Sequence, residues 1–353
     1  MDSQTQSSDQ PKTRIGRIAA LDVARGAALL AMAIYHFAWD LEFFGYSDPG
    51  TTAAGGWKFF ARCIATSFLF LVGVSLFLAH SNGIRWKAFC RRFAMVAGAA
   101  LAISIVTRLA VPGGFIFFGI LHQIALASLL GLLFLRLPAA LTLGIAALVI
   151  AAPHFLRNAF FDHPAWWWVG LSSSNPRSND YVPLFPWFAA VLAGIALAKL
   201  TSYAGLAARL AEVKFGGWSR PLIFAGRHSL AVYLIHQPVL IASVWLASQV
   251  FPADVPTPEV RFRNSCEATC EQSRDTEFCT RYCVCMLEEL EKDAGLDKLF
   301  KGDETPELRA RIETSAGLCT TRTDDAIGFQ SEEKADNKLL GDLPGPALQG
   351  GVQ

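Results

Sequence analysis

The chain has 353 residues, 52% of them hydrophobic and only 17% charged, with a net charge of +1. A soluble globular chain carries roughly 25% charge, so an ordinary water-soluble domain is excluded, as are disordered and fibrous chains. The charge is also divided: residues 252–353 hold 33 of the 61 Lys, Arg, Asp and Glu and carry −9, whereas the first 251 residues carry +10. Lipid is the implied solvent of the first part and water that of the second.

In chain order, an N-terminal arm (1–17) precedes a transmembrane domain (18–251). Crossing the hydrocarbon core takes about 20 mostly apolar residues. Seven stretches qualify, at about 22–43, 58–79, 93–110, 115–135, 139–156, 183–201 and 222–250. They predict an all-α polytopic membrane protein with about seven transmembrane helices and the bilayer as its first partner. The first stretch carries Asp22, Arg25, His36 and Asp40 and is followed by no small-residue cleavage site, so it is not a signal peptide. The last is long and is expected to begin as an interfacial turn near Gly226. Basic residues in short connections set orientation. Lys12, Arg14 and Arg17, then Arg85, Lys87, Arg91 and Arg92, then Lys199, Arg209, Lys214 and Arg220 all fall on one side. That side is expected to be cytoplasmic, which puts the C-terminal tail outside.

The tail begins with a linker, Pro252 to Pro258. A Cys-rich helical domain is expected over 259–320 and a disordered end over 321–353, where Gly, Pro and acidic residues gather. Cys266/Cys270 and Cys279/Cys283 each sit four apart, on one face of a helix. Two short antiparallel helices with such pairs suit the disulfides Cys266–Cys283 and Cys270–Cys279, which leaves Cys285 with Cys319. Six cysteines allow fifteen pairings, and a zinc or iron–sulfur site is the rival reading. The tail contains no His, and an outside location favours disulfides, so no metal is expected. Residues 284–300 read as an amphipathic helix bearing Leu287, Leu290 and Leu296. A protein partner or a second copy could bind through this tail.

Ionisable groups inside membrane helices are costly and mark functional sites. At 100° per residue, Asp22, Arg25 and Asp40 fall within roughly 40° of His36 on the first helix. Asp40, one turn beyond His36, is placed to orient the ring and raise its basicity, as a general base requires. The rival reading is a structural stripe of ion pair and snorkelling His. His122 and Gln123 in the fourth helix, and His236 and Gln237 in the seventh, lie at similar depth, with Asp180 and Trp187 at the mouth of the sixth. Arg25, Arg227 and His228 lie nearer the cytoplasmic face, where a phosphate-bearing donor would bind. The run Trp166–Trp168 suits an interfacial aromatic belt. No P-loop, GxGxxG, HExxH or GxSxG pattern is present, which removes the usual nucleotide, zinc-protease and hydrolase readings. Nucleic acid is not an expected partner.

Five segments together resemble a known family. They are Leu21-Asp22-Val23-Ala24-Arg25-Gly26, Ser67-Phe68-Leu69-Phe70-Leu71-Val72-Gly73-Val74-Ser75 and Gly119-Ile120-Leu121-His122-Gln123. Pro183-Leu184-Phe185-Pro186-Trp187-Phe188 follows, then Gly226-Arg227-His228-Ser229-Leu230 with Tyr233-Leu234-Ile235-His236-Gln237-Pro238. Over about 15–250 the chain resembles the bacterial branch of the heparan-α-glucosaminide N-acetyltransferase catalytic-domain family. The resemblance implies transfer of acetyl from cytoplasmic acetyl-CoA, as co-substrate, to a sugar or envelope glycan on the far side of a bacterial inner membrane. Arg25, Arg227 and His228 would then hold the donor. Gln123, Asp180, Trp187 and Gln237 would meet the acceptor, with His122 and His236 stabilising the oxyanion or binding the acceptor. The animal enzyme has an essential His before its second helix, where this chain reads Thr51-Thr52-Ala53-Ala54-Gly55-Gly56-Trp57. Either His36 takes the base role or the activity differs. A proton-coupled or small-molecule transporter, or an anchor that presents the Cys-rich tail, are the alternative functions.

Overall fold

The computed structural model describes residues 18–48, 50–174, 176–204, 209–210, 212–213, 215–253, 257–292, 295–300 and 305–341, with backbone only at 296–297 and 329–341. The arm with Lys12, Arg14 and Arg17, then Lys214, and Asp254-Val255-Pro256 of the linker lie outside the described residues. The chain forms two compact units, residues 1–253 and 254–353.

The first unit is helical, with no strand among the described residues. Helices α1 (Ala19–Phe43), α2 (Gly55–His80), α3 (Trp86–Ala110), α4 (Ile120–Phe134), α5 (Ala139–Phe155) and α6 (Leu184–Tyr203) follow in order. A short α7 (Arg220–Arg227) then leads into α8 (Ser229–Val250). Five of these, α1, α2, α3, α6 and α8, are long and apolar enough to cross a membrane, and α4 and α5 are shorter apolar helices. The seventh expected stretch is therefore two helices. His228, at φ −106° and ψ 31°, breaks the run between them. The fourth starts later than its hydropathy suggests. Phe115 to Gly119 stay outside the helix because side chains satisfy the first free N–H groups, as described below.

Helix α6 is the centre of the bundle. Val191, Leu192, Ile195 and Ala196 are fully buried, among α2, α4 and α5. Glycines allow the close approach. A Cβ on Gly73 would sit 2.0 Å from the Val191 carbonyl oxygen, and one on Gly194 would sit 2.1 Å from that of Phe70. In lipid, where apolar surface has little drive to leave its solvent, such backbone contact supplies the packing. The outer faces are greasy instead. Leu101, Ile105, Val106 and Leu109 of α3 and Leu246 and Val250 of α8 are all exposed. Water would not tolerate so much apolar surface, but lipid does. Lys199 is buried in α6 and donates to the carbonyls of Phe134 (2.6 Å) and Leu137, closing the C-terminal end of α4.

The second unit contains α9 (Pro258–Cys270), α10 (Thr276–Glu291), α11 (Gly295–Phe300) and α12 (Pro306–Gly341). Disulfides join Cys266 to Cys283, Cys270 to Cys279 and Cys285 to Cys319. This is the pairing that the four-residue spacing suggests. The first two staple α9 to α10, and the third ties α12 to α10. Asp275 caps α10 by accepting the Phe278 N–H at 3.0 Å. Two expectations change here. The helix expected over 284–300 is split, since α10 ends at Glu291 and Gly295 opens α11. Residues 321–341, expected to be disordered, continue α12. Their acidic composition hides a helix with no proline after Pro306, held at Cys319 by its disulfide. The last part of that expected segment, 342–353, lies outside the described residues.

Candidate functional site

At the N-terminal end of α1 the structure joins two of the sequence segments into one feature. Asp22 is 1% exposed. Its Oδ1 lies 3.3 Å from Arg25 Nη1, and its Oδ2 lies 3.6 Å from Arg227 Nε on α7. Arg25 also donates to the Ser75 hydroxyl of α2. The backbones touch at this crossing: a Cβ on Gly26 would lie 2.1 Å from the Leu222 oxygen, and one on Gly226 would lie 1.9 Å from that of Asp22. Each glycine admits the other helix, which brings Arg227 to a carboxylate far away in sequence.

A cleft of about 470 Å³ opens beside this crossing, with Arg25, Arg92, Arg227 and His228 at its walls and Tyr233 also lining it. A second, of about 310 Å³, lies between α2 and α3 and is lined by His80, Arg85, Arg91 and Arg92. Val72, Arg92, Met95, Val96 and Ile124 line both. The exposed His228 ring lies tilted against Phe224, 4.6 Å between ring centroids. Arg92 and Ser75 did not stand out in the sequence as site residues, because a lone Arg near a helix end looks like a topology signal.

Further along α1 and α8, four of the expected groups meet. The His36 and His236 rings are 5.0 Å apart between centroids. Gln237 Nε2 donates to Asp40 Oδ1 at 2.7 Å, and Asp40 is fully buried. Among the described residues no hydrogen bond joins Asp40 to His36, and the Gln237 amide takes Asp40 Oδ1. His236 Nδ1 faces the Tyr233 carbonyl. Only an N–H satisfies a carbonyl there, so the lone pair resides on Nε2. That Nε2 is buried without a hydrogen-bond partner among the described residues, as are Asp40 Oδ2 and Gln237 Oε1.

The remaining candidates form a separate, structural group. Ser104 gives its hydroxyl proton to the Ile116 carbonyl at 2.6 Å. His122 Nε2, 3.1 Å from that hydroxyl, must then be the donor, and Nδ1 accepts the Gly119 N–H at 3.2 Å. Both ring nitrogens of His122 are thus engaged in holding the start of α4. Asp180 accepts the Ile120 N–H at 2.8 Å, a second clasp on the same helix end. Burial pushes its carboxyl up to about 6, against the pull of that N–H. Trp187 is half-buried and packs against the hydrophobic cluster around α6. Gln123 is fully buried, and neither side-chain polar atom has a partner among the described residues. In the loop before α6, Asp162 is bound by the Ser172 and Ser173 hydroxyls and the Ser173 N–H, which hold its carboxyl below the usual range. Among the described residues no group of three or more His, Cys, Asp or Glu is placed to hold a metal ion.

These features define a multi-pass helical membrane protein with ionisable groups assembled inside the bundle. Residues 17–238 match the family described as heparan-alpha-glucosaminide N-acetyltransferase, catalytic. The match covers more than half of the chain, and the chain belongs to that family, whose function is of the transmembrane acetyltransferase type. It ends just after His236 and Gln237, so the second unit lies beyond it. No curated protein and no solved structure matches the chain.

Proposed function

We propose that the protein moves an acetyl group from cytoplasmic acetyl-CoA to a sugar or envelope glycan across a bacterial inner membrane, with the N-terminus cytoplasmic and the Cys-rich unit periplasmic. One observation carries this reading. The larger cleft has arginines on its walls and also reaches Tyr233, whose carbonyl holds His236 in the tautomer with a free Nε2. An anionic donor held by the arginines would thus lie with its thioester toward the His236–His36 pair.

In this reading His236 Nε2 takes the proton from the acceptor hydroxyl or amine as that group attacks the thioester carbonyl. The new C–O or C–N bond forms, the C–S bond breaks, and the proton passes on to the departing thiolate to give CoA. His36, against His236, is the second imidazole of the relay, and Gln237 fixed by Asp40 faces the acceptor. The base role thus moves from His36 alone to the pair. Membranes holding the protein are incubated with acetyl-labelled acetyl-CoA, and the label is followed into glycan, lipid and protein. Transfer to a glycan or lipid-linked sugar is expected. A folded protein that moves no label would overturn the reading, and a C-terminal reporter active only in the cytoplasm would reverse its orientation.

A further inference from the structure

Arg25 and Arg227 share the single carboxylate of Asp22. That one carboxylate offsets half of their combined charge, which leaves about one net positive charge for the several phosphate charges of a donor. Arg85, Arg91 and Arg92 are different. Among the described residues no carboxylate pairs with any of them, and all three line the smaller cleft under His80. Arg92 alone of the three lines both clefts. It sits six residues beyond Trp86 at the start of α3, about 9 Å along the axis. His80 is buried and accepts the Arg85 N–H on Nδ1 at 3.2 Å, which fixes the turn that carries Arg85.

We propose that Arg92, with Arg85 and Arg91, forms a phosphate-binding subsite that holds the 3′-phosphate end of the acetyl-CoA donor, while the larger cleft takes the rest. The inference rests on the donor assignment above. A positive loop near a membrane face also arises from topology alone, and Lys87 serves as the internal control. It lies in the same turn but lines neither cleft. The shared chemistry is a phosphate monoester or diester, which an anionic lipid headgroup also offers.

The test uses the full chain in nanodiscs of phosphatidylcholine, with or without phosphatidylglycerol. Binding of acetyl-CoA is compared with that of acetyl-3′-dephospho-CoA for wild type, Arg92→Gln, Arg92→Lys and Lys87→Gln. A charge-assisted phosphate contact corresponds to about a ten- to hundredfold affinity difference. Wild type is expected to prefer the 3′-phosphorylated donor by that factor, in both lipid compositions. Arg92→Gln should lose the preference by weakening only acetyl-CoA, Arg92→Lys should restore part of it, and Lys87→Gln should keep it whole. If Arg92→Gln weakens both donors equally, or neither, the subsite is not where we place it. If Arg92→Gln changes only the retention of phosphatidylglycerol, the site belongs to lipid and the proposal fails. A wild type that binds both donors equally also overturns the subsite but leaves the donor assignment standing. One that binds neither overturns both. Elution as a single monodisperse species checks that each variant is folded.

Discussion

Replacing Gly226 by Ala tests the crossing on which the arginine end of the site depends. The added Cβ would lie 1.9 Å from the Asp22 carbonyl oxygen. An ordinary contact needs roughly 3.5 Å, so α1 and α7 must separate by about 1.5 Å. The obstacle is backbone, so no side chain can turn aside. The Arg227 Nε to Asp22 Oδ2 distance, now 3.6 Å, would open well past ion-pair range. The Arg25 pair, within α1, would survive. Overpacking of this kind costs about 1–3 kcal/mol. For a domain of this size that is a fall in Tm of roughly 2–12 °C. Thermal unfolding in a fixed detergent reads it, with Gly98→Ala as control. Nothing lies within 4 Å of a Cβ on Gly98 in α3, and Ala favours a helix over Gly by about 1 kcal/mol, so that variant should be neutral or more stable. If Gly226→Ala melts with wild type, the helices do not touch here and the joint role of Asp22, Arg25 and Arg227 falls with them.

His236→Ala should lower acetyl transfer about 10²- to 10⁴-fold, the contribution of a general base, with acetyl-CoA affinity unchanged, and a turnover near wild type would remove His236 from the chemistry. His122→Ala should instead lower stability, because it frees the start of α4; a well-folded, inactive variant would return His122 to the reaction. Asp180 has its pKa raised to about 6, so the unfolded chain gives up this proton at lower pH than the folded one. Stability should therefore fall as pH rises from about 4 to 6, and Asp180→Asn should flatten that slope in pH-dependent unfolding; an unchanged slope would assign it to another group. In the second unit, Cys285–Cys319 closes the longest loop, a separation of 34 residues. The double Ser variant should lose roughly 3–4 kcal/mol, and protease should then cut α12 before α9 or α10; uncut α12 would show that packing alone holds it.

The spanning helices were legible because lipid imposes a length and an apolar composition that a window along the chain detects. The paired cysteines were legible for a similar reason, since a four-residue spacing fixes a helix face. What escaped depends on partners distant in sequence. Nothing around His122 announces that Ser104, 18 residues away, meets its Nε2, and nothing around Asp40 announces that Gln237, 197 residues away, donates to it. Charge sign alone cannot separate Arg92, at the junction of two clefts, from Lys87, which only marks a side. Over 321–341 the helix α12 continues through a stretch rich in acidic residues, a composition that by itself points to no element.

The crossing of α1 with α7 also bears on how the chain is made. Asp22 lies one turn from Arg25, so that carboxylate brings its own counter-charge within the first helix. Its contact with Arg227 and its glycine socket arrive with residues 220–227, late in the membrane domain. α1 thus gains its contact with α7 only after the five helices between them have been made. A chain made only as far as α6 therefore holds the Asp22–Arg25 pair without the α7 contact that clasps it.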